Sequence, residues 1–240
     1  ATCAAAARGK RSGAPLWAVV PPRFQPALSS TAEAAAPAPT AAEQTCAAVL
    51  TIASGERIAF STDAYVVKPI RFPGGALGDL AVNGTINDLA VSGARPLALS
   101  VGFILEEGLD MVILRRVVDS MAAAAVEAGV PIVTGDTKVV NRGKADQLFI
   151  NTSGVGVVSS TCTLSVDRVQ AGDVVLVSGF IADHGIAVML AREALELDAN
   201  IESDRAPLHE LVALLLAAAP ATRVVKDPTP RGMASGPNEI

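Results

Sequence analysis

The strongest constraint on this chain is a change of period. Between Arg57 and Val158 the apolar residues alternate, then recur at helical spacing, then alternate again. A period of two belongs to a strand and one of 3.6 to a helix. "RIAFSTDAYVV" sets Ile58, Phe60 and Thr62 on one face and predicts a strand ending near Asp63. In "GGALGDLAVNGTINDLAVSGARP", Leu77, Leu80, Ala81 and Gly84 have helical spacing, with Gly93 and Pro96 as stop signals. "LALSVGFIL" (97–105) predicts a second strand. Asp110 is placed to cap a helix with the stripe Leu114, Val117, Val118 and Met121, ended by Gly129. "VPIVTG" predicts a third strand and "LFINTSGVGVV" (148–158) a fourth. Strand, helix, strand, helix, strand, strand makes an α/β or α+β layer with helices on one face of a sheet.

The flanks differ. Residues 1–45, including "SSTAEAAAPAPTAAEQT", keep neither period and are rich in Ala, Pro, Ser and Thr. Such a segment buries too little to offset its ordering entropy, so poor order is expected. Residues 46–160 are expected to form one domain. After them, "VQAGDVVLVSG" reads as a turn and a strand, "HGIAVMLARE" as a helix, and 208–219 as a leucine-rich helix. Residues 161–240 are therefore expected to be an incomplete second domain, with exposed apolar surface near 208–219.

Composition narrows the function. With six Phe, one Tyr and one Trp, the core must be built from Val, Leu, Ile and Ala. The net charge of −5, from 19 basic and 24 acidic residues, lacks the footprint of a nucleic-acid binder. Cys3, Cys46 and Cys162 are odd in number and widely spaced, which fits neither a zinc site nor a disulfide framework. A soluble, cytoplasmic protein is expected: the apolar run Leu211 to Ala219 is too short to cross a bilayer, and no signal-peptide pattern opens the chain.

Four acids break the bland pattern. Asp63 closes the first strand, Asp88 lies in "GTINDLAVSGA", Asp136 in "TGDTK" and Asp227 in "KDPT". "TGDTK" itself reads as a tight corner ending the third strand. Asp79, Asn83 and Asn87 are four residues apart and share a helix face, with Asp88 beside them. Each alone is a turn, a cap or a solvated face. Together, acids at strand ends repel one another unless a cation neutralises them, and hard oxygen ligands without His or Cys suit Mg2+, which usually arrives with nucleotide phosphates. Lys138 is placed to add positive charge to the same phosphates or to a developing oxyanion. Neither a Walker A pattern nor GxGxxG after a strand is present, so a nucleotide would be held through acids and magnesium.

"STDAYVVKPIRFPGG", "GDLAVNGTINDLAVSGARPLALSVGFILEEG", "IVTGDTKVVNRGKADQLFINTSGVGVV" and "ADHGIAVML" resemble the HypE family, within the superfamily of aminoimidazole ribonucleotide synthetase and selenophosphate synthetase. The resemblance runs from about Ala47 to Ile240. It implies a PurM-like N-terminal α/β domain that dimerises through its sheet, with a C-terminal α/β domain behind it. It implies ATP and Mg2+ held at the TD, ND, GDT and DPT motifs: Asp63, Asp88, Asp136 and Asp227 on metal, with Asn87, Gly135 and Thr137 also on the nucleotide. The implied reaction is the ATP-dependent dehydration of an S-carboxamide on a C-terminal cysteine to a thiocyanate, the source of cyanide for [NiFe] hydrogenase. Lys138, in GDTK, is the implied catalytic residue. The implied partners are a second copy, the carbamoyltransferase HypF and the HypC–HypD complex.

The chain departs from the family in four places. No Gly-rich segment is matched in residues 1–45. Thr45-Cys46 stands where the family carries an Asp pair. DPTRGG becomes Asp227-Pro228-Thr229-Pro230-Arg231-Gly232, and no acceptor cysteine precedes Ile240. The alternatives are a HypE-like fragment acting only as a scaffold for other maturation proteins, or another ATP-dependent synthetase of the superfamily.

Overall fold

The computed structural model describes residues 46–192 and 200–227. The Ala/Pro-rich segment 1–45 and the Pro228–Gly232 part of the last motif lie outside the described residues. Strands β1 (Ala48–Thr51), β2 (Arg57–Tyr65), β5 (Ala94–Glu106), β6 (Ile132–Val140) and β7 (Leu148–Val158) form one mixed sheet in the order β1-β2-β7-β5-β6. Neighbours are antiparallel except β5 and β6, which are parallel and are joined by helix α2 (Met111–Ala128). A two-stranded hairpin, β3 (Arg71–Phe72) and β4 (Gly75–Ala76), leads into helix α1 (Leu77–Val91). Helices α3 (Asp183–Ala191) and α4 (His209–Ala218) follow the sheet.

Both sheet helices cover one face. Leu77, Ala81 and Ile86 of α1 pack with Val117, Met121 and Ala124 of α2 over Leu99, Val101, Leu148 and Ile150. Two glycines let the elements approach. A Cβ at Gly78 would meet Ser120 Oγ at 2.2 Å and the Val117 carbonyl at 2.3 Å, and one at Gly84 would meet the Tyr65 hydroxyl at 2.2 Å. The ends of α2 follow local chemistry: Asp110 accepts from the Val112 N–H at 2.7 Å, and Gly129 turns left-handed at φ 64°. Its buried stripe is Val117, Met121, Ala124 and Ala128, whereas Val118 is exposed, so the expected stripe is rotated toward the smaller alanines.

Three expectations are corrected. "TGDTK" is not a corner: residues 134–138 lie inside β6, an edge strand exposed on both sides, where Asp, Thr and Lys stay solvated while the backbone pairs with β5. Residues 174–177 are not a strand. A turn does form at Gly172 (φ +99°), but no ladder follows it among the described residues. Val174, Leu176 and Phe180 are left 83%, 74% and 82% exposed. This is the largest bare apolar stretch; on α4, Leu211 and Leu214 are exposed while Val212 is buried. Third, the polar face of α1 is not solvated. Asp79, Asn83 and Asn87 are buried beneath the strap Ser203–Leu208 that precedes α4.

Candidate functional site

The strap accounts for the polar stripe. Asp79 Oδ2 pairs with Arg205 Nε at 3.1 Å, and its Oδ1 accepts from the Ala76 N–H at 2.9 Å. Asn83 Nδ2 donates to the Arg205 carbonyl at 2.5 Å. Asn87 uses both ends of its amide, accepting from the Leu208 N–H at 2.8 Å and donating to the Ala206 carbonyl at 3.3 Å. The strap is tied on its other side by Ser203 N–H to the Pro73 carbonyl at 2.9 Å and by Arg205 Nε to the Gly74 carbonyl. A polar stripe that reads as ligand-binding therefore makes main-chain hydrogen bonds in this structure, which satisfies a buried connection.

One residue after Asn87, the helix presents Asp88 to the sheet. Ser61 Oγ lies 3.0 Å from Asp88 Oδ2 and 3.1 Å from the Cys46 carbonyl, so its one hydroxyl hydrogen is shared between the two acceptors. Burial pushes the Asp88 carboxyl up to about 8, reinforced by the negative charges of Asp227 and Asp63 and opposed by the Ser61 hydrogen bond. Like charges facing a poorly hydrated carboxyl disfavour its ionisation. The same environment pushes the Cys46 thiol up to about 12, through burial first and then Asp88 and Asp227. That thiol is no nucleophile at neutral pH. Asp63, Asp88 and Asp227 thus share one electrostatic locality at the junction of β2, α1 and the segment after α4.

Asp136 and Lys138 lie elsewhere. Across the sheet, Asp63 is opposite Thr152, Thr152 opposite Val101, and Val101 opposite Gly135. Ser61, Asp63 and Tyr65 share the helix side of β2 with Gly135 and Thr137 on β6, so the pleat turns Asp136 and Lys138 to the open side. Three strand spacings also intervene, about 14 Å. On that open face Lys138 Nζ and Asp136 Oδ2 pair at 3.0 Å with both side chains exposed. The Lys138 hydrogen bond and the Thr137 N–H, at 2.8 Å, hold the Asp136 carboxyl below its usual range. The same open face carries Thr62 on β2 and Asn151 and Ser153 on β7: Ser153 Oγ donates to Thr62 Oγ1 at 2.8 Å and Asn151 Nδ2 to the Asp63 carbonyl at 2.8 Å.

The expected acids therefore fall into two groups, Asp63, Asp88 and Asp227 on the helix side and Asp136 with Lys138 on the open side. Among the described residues no three acids, histidines or cysteines converge as the ligands of one ion. The donor set still fits Mg2+, which takes one or two carboxylates and completes its shell with phosphate oxygens and water. Ser61 and Tyr65 went unnoticed in the sequence. The available signal was their period-two spacing from Asp63, which puts all three on one face.

Residues 44–158 match the family described as AIR synthase related protein, N-terminal domain. Carbamoyl dehydratase HypE of Cupriavidus necator is 52% identical over 193 residues, 80% of this chain and 55% of that protein. A crystal structure of hydrogenase maturation protein HypE in complex with ATP superposes with a TM-score of 0.73 at 52% identity, covering 76% of this chain and 54% of that one. The crystal structure of a HypE-HypF complex gives a TM-score of 0.72 at 49% identity, covering 78% and 60%. The chain spans about half the length of the curated relatives it matches. Motif, fold and identity agree across that span: residues 44–158 are an AIR synthase-related N-terminal domain, and the chain is similar over its matched length to HypE proteins.

Proposed function

We propose that this chain carries the nucleotide-binding part of an ATP-dependent carbamoyl dehydratase of hydrogenase maturation. The observation that carries the reading is the Asp63–Asp88–Asp227 locality, in which a buried carboxyl is held up to about 8 by burial and two neighbouring acids. A divalent cation relieves such repulsion, and the HypE structure of similar sequence and fold is an ATP complex. In the proposed reaction the carboxamide oxygen of a cysteine S-carboxamide takes the γ-phosphoryl of ATP. The phosphate then departs as the nitrogen loses its protons, leaving a thiocyanate, ADP and phosphate, from which the hydrogenase cyanide ligand derives. Mg2+ would supply charge neutralisation to the phosphates, the main demand of phosphoryl transfer.

The chain's own groups have distinct parts in this proposal. Asp63, Asp88 and Asp227 hold the cation. Lys138, kept near Asp136 by its ion pair, offers a positive charge or a proton-transfer group on the open face. Gly135 and Thr137 present the β6 backbone to the nucleotide. Leu50, Phe60 and Ile104 are 59%, 47% and 42% exposed, and strand alternation puts them on that same open face, which supports dimerisation through the sheet. HypF and a HypC–HypD complex are the proposed partners. The domain division proposed is 46–160 for nucleotide binding and 161–240 for the start of a second unit, in a cytoplasmic protein. Among the described residues no helix is long and apolar enough to cross a membrane.

Titration calorimetry with ATP in Mg2+ and in EDTA tests the reading. Mg-dependent binding, lost in Asp88→Ala and weakened in Asp63→Asn, supports it, and no binding overturns it. A scaffold without turnover is favoured by one observation only: a single copy leaves Asp136 and Lys138 on the far face from Asp63 and Asp88. Phosphate release from ATP with an S-carboxamide substrate separates the two.

A further inference from the structure

Tyr65, the chain's one tyrosine, ends β2 two residues beyond Asp63, on the same face. Its side chain is buried against α1, with the hydroxyl over Gly84 where a methyl group would come within 2.2 Å. Among the described residues that hydroxyl has no hydrogen-bond partner. The hydrogens of the neighbouring hydroxyls are directed elsewhere: Thr152 Oγ1 donates to the Ala81 carbonyl at 3.0 Å, so Thr85 Oγ1 donates to Thr152, 2.5 Å away, and neither donates to the phenol. Asp63 meanwhile is exposed, its Oδ1 taking the Ala64 N–H at 2.8 Å.

A buried hydroxyl without a partner is destabilising, and such a group in a native structure calls for a reason. A phenol is a strong donor, and carboxylates that ligate cations are themselves held by hydrogen bonds from behind. We propose that Tyr65 is the positioning residue of Asp63, its hydroxyl donating to the Asp63 carboxylate when that carboxylate takes up a nucleotide-bound divalent cation. The role rests on the nucleotide reading above and adds to it a named second residue. Gly84 is then the complementary feature, because only the absence of a side chain there lets the ring lie close enough to aim its oxygen.

The test is a double-mutant cycle on Tyr65→Phe and Asp63→Asn, read by calorimetric affinity for Mg-ATP and by thermal denaturation in EDTA. Tyr65→Phe is expected to weaken Mg-ATP binding about tenfold, within the range for losing a group behind a metal ligand. The unloaded protein should be as stable as the parent or more so, since an unpaired hydroxyl is removed. In the Asp63→Asn background the effect of Tyr65→Phe on affinity should vanish. Parental affinity in Tyr65→Phe, or additive losses in the double variant, overturns the positioning role while the nucleotide reading stands. Absence of Mg-ATP binding by the parent chain overturns both.

Discussion

Asp79 and Arg205 meet across the seam between α1 and the strap, Nε to Oδ2 at 3.1 Å, with the aspartate buried and the arginine half-buried. Burial raises the Asp79 carboxyl even against Arg205 and the Ala76 N–H, so the pair contributes less than its geometry suggests. Breaking it is a different matter, because Arg205 and the Ala76 N–H would both lose a partner. Asp79→Ala is expected to destabilise by about 2 kcal/mol and Asp79→Asn by about 1 kcal/mol, since Asn keeps an acceptor for Ala76. Urea denaturation of the two variants measures both values.

Gly78 sits where α1 crosses α2, with the Val117 carbonyl 2.3 Å from where a Cβ would stand. Backbone cannot step aside as a flexible side chain can. Gly78→Ala is expected to cost about 2–3 kcal/mol, although alanine favours helix by about 1 kcal/mol. A gain in melting temperature would show that the helices separate freely.

Asp88 makes stability depend on pH. Its folded value of about 8 lies above the ordinary 3.8, so the folded state keeps a proton that the unfolded chain releases. This contribution is whole below the unfolded value and is lost as pH rises through about 8. Between those limits it lowers stability by up to about 1.4 kcal/mol per pH unit. In EDTA, denaturation midpoints should fall from pH 5 to pH 8 in the parent chain. The fall should be shallower in Asp88→Asn, and equal slopes would remove Asp88 from the account.

The bare segment Val174–Ile181 should drive aggregation beyond the proposed sheet dimer, because six of its residues, Val174, Val175, Leu176, Val177, Phe180 and Ile181, are exposed apolar groups in one short stretch. Leu176→Lys with Phe180→Asp is expected to reduce concentration-dependent light scattering severalfold without lowering the melting temperature. Unchanged scattering would place the association surface elsewhere.

What could be read from residues alone was what local chemistry decides. Asp110 and Gly129 delimit α2 because cap and stop act within a turn of the helix. The spacing of Asp79, Asn83 and Asn87 likewise showed a shared face. Their burial did not show, because what covers them, Ser203–Leu208, lies far along the chain. "TGDTK" was misread for a similar reason. Acid, hydroxyl and base in succession look like a turn, yet an edge strand tolerates them equally, and only pairing with β5 decides. The acids were found individually, but the division between them depends on strand order, which local residues do not encode. Family resemblance supplied the fold and, with it, the chemistry proposed above, while Tyr65 became visible only through its unsatisfied hydroxyl.

Asn87 and Asp88 are adjacent in α1, and they face different masters: one clasps the strap, the other meets Ser61 and the acids. One helix turn carries both, so the strap that holds Asn87 also fixes the direction in which Asp88 meets Ser61. Both contacts thus hang on one turn of α1, so a change in how the strap sits is a change in the setting of that turn.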